Sequence, residues 1–131
     1  MDRKYWNLEP NNRINGIEFG RDHVKLREFL GKPGNTIQEY GSDCIVDVYP
    51  FCHVYYSAKG KFEAIEFYGN DIILEINSQR VYPGTLSTAK KILPDLEDNF
   101  GTYVSKSSSV GIGVDGNNII SILVGCKDYY K

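Results

Sequence analysis

The side chains able to do nucleophilic or metal chemistry are few: His23 and His53, the cysteines Cys44, Cys52 and Cys126, and carboxylates such as Glu63 and Glu66. The two histidines fall in different predicted elements and lack HxxxH spacing, so they do not present two imidazoles to one metal ion. Cys52 and His53 are adjacent on a predicted strand, where successive side chains point to opposite faces, so the imidazole cannot take the proton of the neighbouring thiol. Glu63 and Glu66 also fall on opposite faces by alternation, which argues against a carboxylate pair for acid–base work. The cysteines form no CxxC and are odd in number, which speaks against a zinc site and against a disulfide framework. We therefore expect no catalytic residues, no metal ligands and no cofactor, and read the chain as a non-enzyme.

Gly111-Ile112-Gly113-Val114-Asp115-Gly116 matches GxGxxG. A dinucleotide site needs that loop to follow a strand and open a helix, so that a helix N-terminus meets the pyrophosphate. Here Asn118–Val124 continues as a strand pattern, so the stretch reads as a hairpin with Asp115-Gly116 or Gly116-Asn117 at its turn. Gly111 and Gly113 leave room on one sheet face for a bulky neighbour or for a ligand.

What remains is a set of residues suited to contact rather than chemistry. The chain has ten Tyr and one Trp, and Tyr combines large contact area with a polar tip. Tyr49, Tyr55, Tyr56 and Tyr68 lie on or beside predicted strands, and Tyr55 and Tyr56 must point oppositely. On the following strand, Phe62, Ala64 and Glu66 alternate against Glu63, Ile65 and Phe67. If helices cover Ile65 and Phe67, then Phe62 and Glu66 look outward. The candidate partner-binding set is thus Tyr49, Tyr55, Tyr56, Phe62, Glu66 and Tyr68. Asp95, Glu97 and Asp98 form a small acidic group that suits either a helix N-terminus after Pro94 or a basic partner.

The elements that must position these residues follow from spacing. Asp22 caps a short helix whose Leu26, Phe29 and Leu30 make one stripe, closed by Gly31 and blocked by Pro33. A second stripe, Leu86, Ala89, Leu93, Leu96 and Phe100, is spaced 3, 4, 3, 4 and capped by Thr85 or Ser87, with Pro94 kinking it or starting a new turn and Gly101 closing it. Strands are expected around Ile17 and Phe19, over Asp43–Tyr49, at Ile72–Ile76 and at Tyr103–Val104. Residues 1–13 read as a polar arm pinned by Tyr5 and Trp6, Gly34–Ser42 as a loop, and Lys127–Lys131 as a frayed or docked tail. Two hairpins stand out: Val54–Phe67, turning at Ala58-Lys59-Gly60-Lys61, and Gly111–Val124, which repeats strand, polar turn and strand at similar lengths.

The 131 residues suit one domain, 1–131, with repeat one at about 14–69 and repeat two at about 72–126. Each half has too few strands to stand alone. The expected fold class is α+β: a single antiparallel sheet with two short helices packed on one face. The formal net charge of −2 shows no basic excess, so no nucleic-acid partner is expected. Met1–Pro10 has no apolar run, so neither signal peptide nor membrane span is expected, and a cytoplasmic location is.

Gly20 followed by a short capped helix and Leu30-Gly31-Lys32-Pro33 resembles the helix start of the SmpA/OmlA-like domains and of the β-lactamase inhibitor protein fold. Those families pack helices on one face of an antiparallel sheet, and the inhibitor protein is built from tandem repeats. Cys52-His53-Val54-Tyr55-Tyr56 with Ala64-Ile65-Glu66-Phe67 and a second repeat also resembles small bacterial proteins from toxin-neutralising immunity loci. The likeness spans roughly Ile17–Val124, without the signal peptide or lipidation cysteine of envelope members. It implies a cytoplasmic protein-binding module, an immunity-type inhibitor of a toxin. The alternatives are a small-molecule-binding module near Gly111 and Gly113, or a structural protein.

Overall fold

The computed structural model describes residues 4–38, 45–69 and 71–130. In chain order the first half runs Tyr5–Glu9 (β1), Arg13–Ile14 (β2), Ile17–Glu18 (β3), His23–Leu30 (α1), Asn35–Gln38 (β4), Ile45–Val48 (β5), Cys52–Tyr56 (β6) and Phe62–Phe67 (β7). The second half runs Ile73–Ile76 (β8), Gln79–Tyr82 (β9), Leu86–Ile92 (α2), Glu97–Asn99 (β10), Thr102–Ser105 (β11), Val110–Asp115 (β12) and Asn118–Gly125 (β13). Within each half the helix is therefore followed by four strands.

Both helices start and stop where local chemistry requires. The Asp22 carboxylate accepts from the Val24 N–H, and Gly31 closes α1 by donating its N–H to the Arg27 carbonyl. Leu26 and Leu30 are buried and Phe29 is partly so. Thr85 caps α2 by accepting from the Thr88 N–H. Here the expected long stripe fails. Pro94 disfavours helical geometry at the residue before it, and Leu93 sits at φ −122°, ψ 84°. Beyond Pro94, Glu97–Asn99 is a strand, and Phe100 is in a turn rather than on a helix face.

Eight strands form one sheet in the order β10-β11-β12-β13-β7-β6-β5-β4, all antiparallel. The two hairpins are neighbours within it, because β7 pairs with β13. The expectation of a single sheet is corrected: β1, β2, β3, β8 and β9 make a second, five-stranded sheet in the order β3-β2-β1-β8-β9, and its β1–β8 pair is parallel. The N-terminal segment is a strand rather than an arm, with Trp6 and Leu8 buried and Tyr5 and Glu9 exposed. Asn35–Gln38 is an edge strand within the predicted 34–42 loop. Asp43 and Cys44 of the predicted 43–49 strand lie outside the described residues.

A single cluster of buried side chains joins these layers. Leu26 and Leu30 of α1, Ala89 of α2, and Trp6, Leu8, Leu74 and Ile76 of the small sheet meet Val54, Ile65, Phe67, Ile112, Ile122 and Val124. Those last six share one face of the large sheet by register, so both helices lie against that face. The Trp6 ring is 5.1 Å from Phe29 and 5.0 Å from Phe67, linking small sheet, helix and large sheet.

Candidate functional site

The face of the large sheet away from the core carries the side chains that alternate with it. Pairing sets His53 beside Glu66 and Glu66 beside Leu123, and Tyr55 beside Ala64 and Ala64 beside Gly125. Neither helix covers this face. His53, Tyr55, Glu66, Tyr68 and Leu123 are half-buried there. The Tyr55 hydroxyl donates to Glu66 Oε1 at 3.3 Å, and His53 Nδ1 lies 3.8 Å from the same oxygen. The His53 and Tyr68 rings are 4.8 Å apart, nearly edge to face. Tyr68 is held by donating its hydroxyl to the Tyr49 carbonyl, and burial, with the nearby Cys52 and Glu66, raises its pKa.

The C-terminal tail closes one border of this face. A side chain at Gly111 would strike the Tyr130 hydroxyl, and one at Gly125 would strike the Tyr129 ring. The room left by Gly111 is thus taken by a bulky neighbour, Tyr130, and not left open. Gly113 instead faces the Ser121 hydroxyl. Burial and the Glu66 charge push the Tyr130 hydroxyl up to about 12.

Of the six residues expected at a partner surface, the structure brings Tyr55, Glu66 and Tyr68 together there. It places Tyr49, Tyr56 and Phe62 elsewhere, in the core. For Phe62 the reason is a bulge. Tyr56 pairs with Phe62 but Tyr55 pairs with Ala64, so Glu63 is the extra residue and alternation slips by one. Phe62 and Ile65 then share the core face although they are three positions apart, an odd offset that plain alternation would send to opposite faces. Tyr56 follows Val54 inward, and Tyr49 is fixed by donating its hydroxyl to the Gly31 carbonyl at 2.8 Å. Sequence reading missed His53, Leu123 and Tyr130 as members of the outer cluster. For His53 and Leu123 the pairing partner, invisible in one strand alone, supplies the signal.

A second feature lies on the core side, at the end of α1. Arg27 grips Asp47 of β5 with two hydrogen bonds of 2.8 Å, and Thr36 Oγ1 donates to the same carboxylate at 2.8 Å. Burial alone would raise the Asp47 carboxyl, but the bonds from Arg27 and Thr36 outweigh it and hold the group below its ordinary range. Beside this pair is a cavity of about 520 Å³ lined by His23, Arg27, Thr36, Ile45, Tyr56 and Lys59, among others. A lone Asp inside the apolar run Ile45-Val46-Asp47-Val48 was the readable sign of a buried carboxylate, though not of its partner.

Burial pushes the Cys52 thiol far up, and burial with the Glu63 charge raises Cys126, so neither is a thiolate at neutral pH. Among the described residues no three His, Cys, Asp or Glu side chains are grouped to hold a metal ion. Also among the described residues, no helix is long and apolar enough to cross a membrane. The chain matches no family model, no curated protein and no solved structure in the three comparisons made with known proteins.

Proposed function

We propose that this chain is a non-enzymatic protein-binding module of the cytoplasm that docks a protein partner on the outer face of its large sheet, as an immunity-type inhibitor would dock a toxin. The observation that carries the reading is the Tyr55–Glu66–His53–Tyr68 cluster, half-buried on a sheet face that neither α1 nor α2 covers. Tyrosines around one acceptor suit protein interfaces, where aromatic anchors supply area and a few polar groups fix register. The order of elements, a helix and then four strands in each half, supports a duplicated origin of the kind found in the β-lactamase inhibitor protein fold. Affinity-tagged chain recovered from its native host should bring down a stoichiometric protein partner, and recovery of the chain alone would count against the reading.

The cavity beside Arg27 favours a second reading, a small-molecule-binding module. Its walls combine Ile45 and Tyr56 with the donors Arg27 and Lys59, a mixture of apolar and polar groups that suits a small organic anion. A thermal-shift screen with small carboxylates separates the two, because a ligand in excess of its Kd raises Tm.

A further inference from the structure

At the far end of the large sheet, β10 and β11 form a hairpin whose tip is Phe100-Gly101, since Asn99 pairs with Thr102. Both tip residues have positive φ, 54° at Phe100 and 93° at Gly101. A two-residue turn of this kind prefers Asn-Gly, and an aromatic residue in the left-handed region is an outlier. Phe100 is also fully exposed, at 104% of its reference accessibility. Single exposed apolar side chains are ordinary, but this one combines exposure with backbone strain. The Phe100 ring packs against none of the core residues, and an exposed aromatic held in a left-handed turn is a local conflict of the kind that points to function.

The surroundings specify what the tip fits. All three residues of β10 are exposed, and Glu97 and Asp98 make no ion pair among the described residues. The Asp98 carboxylate accepts from the Gly101 N–H at 2.9 Å, which holds the turn. Asp95, nearby in sequence, is satisfied by Ser105 and Ser107. The exposed aromatic is therefore flanked by two carboxylates, of which Asp98 holds the turn and Glu97 is exposed and makes no ion pair among the described residues.

We propose that this tip is an anchor for a protein partner: Phe100 enters an apolar socket whose rim carries Lys or Arg side chains facing Glu97 and Asp98. The inference rests on the protein-binding reading in needing a protein partner, but it uses a separate part of the molecule. Counting β7-β13-β12-β11-β10, the tip hairpin is roughly 19 Å from the Glu66 strand at the usual strand spacing.

The test has two arms. In the purified chain, Phe100→Asn should raise Tm by a few degrees, because Asn tolerates the left-handed turn; an unchanged or lower Tm overturns the strain argument. In host extract, p-benzoylphenylalanine at position 100 should give one discrete photo-adduct that position 24, exposed on α1, does not give. Its yield should fall at least tenfold with Glu97→Lys. No adduct at 100, the same adducts from 24, or indifference to Glu97→Lys each overturns the proposal. Probes at position 55 keep the two surfaces apart. An adduct at 100 without one at 55 upholds the tip and sinks the sheet face, and the reverse upholds the face alone.

Discussion

Arg27 and Asp47 are joined by a two-pronged ion pair between α1 and β5, with Nε and one terminal nitrogen each donating at 2.8 Å. The carboxylate is wholly buried while the guanidinium is partly exposed, at 0% and 38%. Removing Arg27 therefore strands a buried charge. Arg27→Met should cost about 3–5 kcal/mol of stability, the range for breaking a buried pair, read by urea unfolding at neutral pH.

The same pair sets an acid dependence. The Asp47 carboxyl is held below its ordinary range, so the unfolded chain binds this proton more readily than the folded one. Its contribution is present above the unfolded value, about 4, and is lost as pH falls through the lower folded value. Urea titrations at pH 6 and pH 3 should show a smaller loss for Asp47→Asn than for the parent chain. Equal losses would remove Asp47 from the acid response.

At the alkaline end the sign reverses. Burial raises Tyr130, to about 12, and also raises Tyr68 and Tyr82. The folded chain then holds phenolic protons that the unfolded chain releases near pH 10, so stability falls as pH rises above about 10. Absorbance titration should show late-ionising tyrosines, one of which disappears in Tyr130→Phe.

The bulge at Glu63 divides the hairpin residues by energetic role. Phe62→Ala should cost about 3–5 kcal/mol, as for a buried aromatic. Tyr55→Ala, half-buried on the outer face, should cost about 1 kcal/mol or less. Comparable losses in denaturant midpoint would contradict the assignment of Phe62 to the core and Tyr55 to the surface.

Gly111 and Tyr130 form a coupled pair. Gly111→Ala places a methyl group where the Tyr130 hydroxyl sits and should cost about 1–3 kcal/mol through overpacking. In a Tyr130→Ala background that cost should largely vanish, giving a non-additive double-mutant cycle.

Much of this architecture was legible in local signals. Asp22, Leu26, Leu30 and Gly31 mark α1, and Gly116-Asn117 marks the turn of the second hairpin, because caps and turns act within a few residues. The separate sheet was not legible. β2 and β3 are two residues each, too short for any periodicity, and the parallel β1–β8 pair joins residues about seventy apart in the chain. The Leu96 and Phe100 positions continued a helical spacing that Pro94 had already ended. Phe62 was misplaced because alternation assumes an unbroken ladder, which the bulge opposite Tyr55 and Tyr56 breaks; Tyr49 and Tyr56 were misplaced because alternation alone does not say which face of a strand meets the core. The Arg27–Asp47 pair needed tertiary knowledge of which helix lies over β5.

The most direct test of the protein-binding account compares tagged parent chain with Tyr55→Ala/Glu66→Lys, both shown to be folded by circular dichroism, for recovery of partner from native host cells. The account predicts a stoichiometric partner with the parent and at least a tenfold loss with the double variant. Equal recovery with both, or no partner with either, would contradict it.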